Sequence, residues 1–175
     1  MRRSRIRSVL VLLVPCLAFV AAGPALAQSG DWGYGAEVGF FSGTPDGSEF
    51  ALGFVPERYL SPAFSVGFPV HLTPTSDYVQ ISAAATARFH FDFEGFEVVP
   101  YVGLGLVYGD LDRGFGSVDD TSYFLPLGVS IDLPVRPKLS VGFSVQVALT
   151  DFDFGPRGGE DSSQTAVMAT VRYRP

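Results

Sequence analysis

The chain has 175 residues, of which 47% are hydrophobic and only 17% charged, and its formal net charge is -6. A phosphate-binding face needs the opposite sign, so nucleic acid is not an expected partner. The single cysteine, Cys16, falls in the N-terminal segment, which leaves the rest of the chain without a disulfide, a cysteine nucleophile or a thiolate metal site.

The first element is a leader. Arg2, Arg3, Arg5 and Arg7 precede an uncharged apolar stretch from Val9 to Ala22, followed by Pro24 and the small-residue site Ala25-Leu26-Ala27. This is the layout of a secretory signal peptide, and the stretch is shorter than the roughly 20 residues of a spanning helix. Pro15 stands before Cys16 where a lipoprotein signal needs a small residue. Cleavage after Ala27 is expected, giving a signal peptide over 1–27 and a mature domain over 28–175, and removal of four arginines takes the charge from -6 to about -10.

From Asp31 onward the hydrophobic pattern has period 2, which sends alternate side chains to opposite faces of a strand. Trp32, Tyr34, Ala36, Val38 and Phe40 share one face of the first strand, and Gly33, Gly35, Glu37 and Gly39 the other. A less regular second strand covers Phe50 to Leu60 and a third Phe64 to Leu72. The fourth is the clearest: Val79, Ile81, Ala83, Ala85, Ala87, Phe89, Phe91 and Phe93 oppose Gln80, Ser82, Ala84, Thr86, Arg88, His90 and Asp92. Alternation recurs over Val98 to Tyr108, Tyr123 to Leu133, Leu139 to Leu149 and Thr165 to Tyr173. Eight strands of about 9 to 13 residues result, each close to the 9 to 11 that a tilted strand needs to cross a bilayer.

The connections alternate in kind. Short turns fall at Ser61-Pro62, Glu94-Gly95 and Pro134 to Lys138, and longer polar links at Ser42 to Glu49, Thr73 to Asp77, Gly109 to Ser122 and Asp151 to Gln164. All short turns therefore gather at one end with both termini, as in transmembrane barrels. The polar face is poor in Lys and Glu and rich in Gly, Ala, Ser and Thr, which suits a narrow interior better than a water-facing surface. Aromatics gather toward the ends of the apolar face, at Trp32, Phe68, Phe91, Phe93, Tyr108, Tyr123 and Tyr173, as interfacial girdles do. The fold expected is all-β, an eight-stranded antiparallel up-and-down transmembrane barrel. Pro56, Pro69, Pro100 and Pro126 fall inside strands, where a missing donor predicts local bulges and leaves the facing of Glu57, Arg58 and Tyr59 open.

The segment Val99-Pro100-Tyr101-Val102-Gly103-Leu104-Gly105-Leu106-Val107-Tyr108 resembles the R-P-Y-V-G-x-G-x-G-Y strand of small outer-membrane β-barrel proteins of the OmpA transmembrane-domain, OmpX and OmpW type. The ending Val171-Arg172-Tyr173-Arg174-Pro175 is similar to their closing strand, although Pro175 stands where phenylalanine is usual and leaves Tyr173 as the aromatic near the end. The resemblance covers essentially all of residues 28–175. It implies a bacterial outer-membrane location, contact with outer-membrane lipid and lipopolysaccharide, insertion by the outer-membrane assembly machinery, and a role of the external loops that differs among members. Barrels of this type include lipid A enzymes, of which the deacylase would call for a His-x-Ser arrangement. His71 is followed by Leu72 and Thr73, and His90 by Phe91 and Asp92, so neither fits and no enzyme is expected.

Two groups of side chains stand out. Period 2 turns Glu37, Arg88, His90, Asp92, Asp132 and Arg172 inward, where ions of both signs must pair because an isolated one costs several kcal/mol. Arg88 and Arg172 are expected to bridge to Glu37, Asp92 or Asp132 and close the lumen, and His90 could form an acid–base pair with Asp92. The long-loop end is acidic: Asp110, Asp112, Asp119, Asp120, Asp151 and Asp153 are hard oxygen donors that suit calcium or magnesium, although Asp110-Leu111-Asp112 lacks the closing glutamate of a calcium loop. Gly103, Gly105 and Gly109 lie along a strand and do not make a nucleotide fingerprint, which must open a helix, so no cofactor is expected. The reading is a monomeric structural or interaction protein with a plugged lumen, the alternatives being a narrow pore or a lipid-modifying enzyme.

Overall fold

The structure, a computed structural model, describes residues 32–44, 47–75, 78–112, 117–153 and 160–174, with the backbone alone at 112, 117–118, 152–153 and 160–162. The leader and its cleavage site lie outside the described residues. Ten strand segments follow in order: β1 (Trp32–Thr44), β2 (Gly47–Ser61), β3 (Phe64–Gly67), β4 (Val70–Pro74), β5 (Tyr78–Phe89), β6 (Phe91–Phe93), β7 (Phe96–Asp112), β8 (Ser117–Arg136), β9 (Leu139–Asp153) and β10 (Glu160–Tyr173). β3 and β4 form one stave broken at Phe68-Pro69, and β5 and β6 another broken at His90. Each stave pairs antiparallel with its neighbours in the chain, and β1 pairs with β10 from Tyr34↔Tyr173 to Ser42↔Thr165, closing an eight-strand ring. Closure leaves the sheet no exposed edge.

Prolines disturb this ring less than their missing donors suggest. β1 and β2 keep one register from Trp32↔Arg58 to Ser42↔Ser48, straight through Pro56. Opposite Pro126 the β7–β8 ladder drops out between Val102↔Leu127 and Gly105↔Phe124 and resumes unshifted. Only at Pro69 is a stave interrupted, and there Phe68 N donates to Pro56 O and Ala84 N to Pro69 O, so the flanking strands stay joined. The register shifts fall near strand ends instead, at Ser42/Thr44, Tyr59/Ser61, Pro134/Arg136 and Asp161/Ser163. The bulges expected at the prolines are thus absent from Pro56, Pro100 and Pro126, because losing one donor weakens a ladder without inserting a residue. Parity survives Pro56, which turns Glu57 and Tyr59 inward and Arg58 outward.

The two faces differ as the alternation requires. Phe40, Leu104, Leu127 and Val167 expose more than half of their surface to the outside, while Gln80, Ser82, Thr86, Arg88 and Gln164 are almost wholly buried within. A continuous apolar belt of this size is far larger than the patches that soluble proteins expose and matches a hydrocarbon solvent. Among the described residues no helix is long and apolar enough to cross a membrane, so the barrel spans with strands.

Two stretches expected as loops are mostly strand. β7 and β8 remain paired to Asp112↔Ser117, and β9 and β10 to Asp153↔Glu160. The β7–β8 register runs unshifted through Leu111↔Val118, past residues whose acidity reads as a loop. The long-loop end is therefore built of protruding hairpins whose tips, residues 113–116 and 154–159, lie outside the described residues.

The face assignment has a direct check. Val145 faces outward and Gln146, accepting from the Tyr101 hydroxyl at 3.3 Å, faces inward. Val145→Arg should cost about 2 to 4 kcal/mol near the bilayer midplane, and Gln146→Ala less than about 1.5 kcal/mol. Urea unfolding in lipid vesicles measures both, and a reversal of the two costs would mean the faces are exchanged.

Candidate functional site in the barrel lumen

The inward side chains form two storeys. In the half nearer the short turns the centre is Arg172, carried by β10. Its Nε lies 3.0 Å from Asp132 Oδ2 on β8, its Nη1 3.3 Å from Glu57 Oε2 on β2, and its Nη2 3.4 Å from Glu37 Oε1 on β1. Nη2 also donates to Ser130 Oγ at 3.2 Å, and Thr170 Oγ1 donates to Asp132 Oδ1 at 3.1 Å. Arg88, on β5, is 2% exposed; its Nε lies 3.3 Å from Glu57 Oε1, and its guanidinium lies over the Tyr101 ring at 4.7 Å.

Both histidines join this network. His71 Nε2 is 3.0 Å from Glu37 Oε2. His90 Nε2 is 3.0 Å from Glu57 Oε1 and 2.7 Å from Ser65 Oγ, and its Nδ1 is 2.8 Å from Glu97 Oε1, while Ser65 Oγ donates to Glu57. A carboxylate can only accept, so a ring with carboxylates at both nitrogens is fully satisfied as the imidazolium. Four carboxylates, Glu37, Glu57, Glu97 and Asp132, thus face Arg88, Arg172, the two histidines and, at the wetter rim, Arg174, whose Nη1 is 4.0 Å from Glu97. Each buried carboxylate has a cationic or imidazole partner, as ions held out of water require.

Small residues make the room. A Cβ on Gly53 would stand 2.6 Å from His71 Cδ2 and 3.1 Å from Glu37 Cβ, and one on Gly128 would stand 2.5 Å from the Tyr101 ring. Either would displace the groups that the network needs.

The second storey, toward the long-loop end, is mainly apolar. Phe41, Tyr78, Val107, Leu111, Phe124 and Met168 pack as one cluster. Gln80 and Gln164 bridge the lumen by reciprocal amide hydrogen bonds of 3.0 and 2.8 Å, with the Tyr78 hydroxyl donating to Gln80 at 2.7 Å. At the opposite, short-turn mouth lies a cavity of about 190 Å³ whose lining includes Asp92, Glu97, Asp132, Arg136, Lys138, Arg172 and Arg174.

Of the inward residues read from sequence, Glu37, Arg88, His90, Asp132 and Arg172 come together, and Asp92 does not. Asp92 is exposed at the rim, opposite Glu97 and one residue from the Glu94-Gly95 turn, so its inward direction meets water instead of the lumen. The acid–base pair considered for His90 and Asp92 is replaced by contacts to Glu57 and Glu97. Glu57, the carboxylate shared by Arg88, Arg172 and His90, is hidden in the sequence by the open facing after Pro56. Glu97 lies one residue before the strand bound read at Val98. His71 stands out in the sequence only as a catalytic candidate, although it shares the inward parity of Ser65 and Gly67.

Among the described residues, the acids of the long-loop end do not form one group. Asp110 opposes Asp119 across the β7–β8 hairpin, while Asp120 opposes Gly109 and uses its Oδ1 to accept from Thr121 N at 2.8 Å. Asp151 is exposed, its N donating to Ser122 Oγ at 2.7 Å. The side chains of Asp112 and Asp153 lie outside the described residues. Among the described residues no three His, Cys, Asp or Glu stand close enough to hold a metal ion.

Solved structures with this geometry are membrane barrels. Neisserial surface protein A superposes with a TM-score of 0.63 at 16% identity, covering 83% of this chain and 97% of that one. A major outer-membrane protein of Thermus thermophilus gives 0.59 at 13% identity, covering 85% and 100%. The N-terminal β-barrel domain of Pseudomonas aeruginosa OprF gives 0.58 at 10% identity, covering 84% and 100%. No family model matches the chain, and no curated protein does. The chain has the fold of the small bacterial outer-membrane β-barrels.

Removal of Glu57 tests the network. Glu57→Ala strips Arg88 and Arg172 of a shared carboxylate and should cost about 3 to 5 kcal/mol, whereas Asp92→Ala at the wet rim should stay within about 0.5 kcal/mol. Equal costs in urea unfolding from vesicles would show that Glu57 is solvated.

Proposed function

We propose that the protein is a monomeric, non-conducting barrel of the bacterial outer membrane whose role is structural or interactive, exercised at its acidic outer end. The observation that carries this reading is a pair of layers across the lumen: an ion network in the short-turn half and a packed apolar cluster with a glutamine bridge above it. Eight strands leave an interior that side chains can fill, and the two layers are chemically different means of filling it. A narrow pore, the alternative, would need both storeys to part.

The outer end supports a contact role. Asp119 and Asp151 are exposed on the hairpins that extend beyond the apolar belt. Carboxylates there repel bare phosphate, so contact with outer-leaflet lipopolysaccharide would run through divalent cations, which take oxygen ligands from both partners.

An enzymatic role finds one geometric feature and little else. Ser65 Oγ, His90 and Glu97 stand in the order of nucleophile, base and orienting acid, with 2.7 Å and 2.8 Å between them. Ser65, however, is 0% exposed and its hydroxyl is shared with Glu57. The sharing of these groups with the ion network supports the non-enzymatic reading.

Planar-bilayer recording tests the closure. The intact protein should show no steady conductance of porin size. Because the apolar storey lies in series with the ionic one, Arg172→Ala alone should also stay closed, and conductance should rise only when Arg172→Ala is combined with Phe41→Ala and Phe124→Ala. Steady conductance from the intact protein would contradict the reading.

A further inference from the structure

Among the described residues, one arginine stands outside both the lumen and its mouth. Arg58 of β2 is in register with Trp32 of β1 on one side and Val66 of β3 on the other, and residues paired across a ladder share a face, here the outward one. The other basic residues of this end, Arg136, Lys138, Arg172 and Arg174, line the mouth cavity instead. Arg58 Nε is out of solvent and has no hydrogen-bond partner in the protein. Its register neighbours supply no acid, and Trp32 and Phe68, with ring centroids 6.4 Å apart, form an aromatic shelf beside it.

Depth decides what such a cation can meet. Arg58 is three residues from Ser61, where β2 ends. At roughly 3.3 Å per residue and a tilt of about 40°, it sits about 8 Å above the short-turn end, with exposed Leu60 beyond it on the same face, at the lower edge of the apolar belt, from which a long side chain reaches the headgroups. A guanidinium at the midplane would be costly, but at the interface it can donate two parallel hydrogen bonds to phosphate oxygens. Short turns face the periplasm, so the leaflet at this depth is phospholipid.

We propose that Arg58 binds the phosphate of an anionic phospholipid in the leaflet on the short-turn side, with the lipid's glycerol and upper acyl chains resting on Trp32 and Phe68. The site depends on the apolar belt spanning a bilayer and is independent of whether the lumen is closed.

Trp32 is the only tryptophan of the chain, so its emission reports on the lipid at this position. The full-length exported protein is reconstituted in vesicles of brominated phosphatidylcholine, which quenches tryptophan, with rising amounts of unbrominated phosphatidylglycerol. Preferential binding of phosphatidylglycerol should restore emission ahead of its bulk fraction, with a relative binding constant of about fivefold for one surface cation. In Arg58→Gln, confirmed as folded by its faster migration unheated than boiled, the ratio should fall to one. A ratio of one in the native protein, or the same preference in Arg58→Gln, would overturn the proposal.

Discussion

The charged side chains that point into the short-turn half of this barrel are buried, so each must find a partner on another stave. Arg172 shows what that requires. From β10 it reaches Glu37 on β1, Glu57 on β2 and Asp132 on β8. Two of these strands, β2 and β8, are not its sheet neighbours. One side chain therefore ties together parts of the wall that backbone hydrogen bonds cannot join. The glycines that admit His71 and Tyr101, the second arginine lying on a ring, and the histidine held between two carboxylates all follow from the same requirement.

The outside obeys a different solvent. Leucine, valine and phenylalanine cover the wall, and the single exposed ladder of a soluble sheet has no counterpart because the ring closes on itself. The apolar storey of the lumen then resembles an ordinary protein core set inside a membrane protein, with Phe41 and Phe124 packed at full burial. Its Phe41 ring meets His71 edge-on at 5.5 Å between centroids, so the apolar and ionic storeys touch. The two layers thus rest on interactions that respond differently to salt and to mutation.

Much of this is legible in the sequence. Period 2 assigns faces correctly along the fourth stave from Val79 to Phe91, and the alternation of short and long connections gives the up-and-down order. Three features escape for identifiable reasons. Proline in a strand suggests a bulge, which obscures Glu57, although a missing donor need not shift register. Asp92 obeys parity but lies beyond the rim, and parity carries no information on depth. Acidic residues near Asp110 and Asp120 suggest a loop, although the β7–β8 register runs through them unshifted. The apolar cluster is written in Phe41, Phe124 and Met168, inward by parity but easily passed over when inward positions are read for charge.

The central claim is that the lumen ions are desolvated and mutually paired. A double-mutant cycle on Arg172→Leu and Asp132→Asn, measured by reversible unfolding in lipid vesicles, tests it most directly. Pairing out of water predicts a coupling energy of at least about 1 kcal/mol. A coupling below about 0.3 kcal/mol, as for solvated surface pairs, would mean that water fills the lumen and would contradict the account.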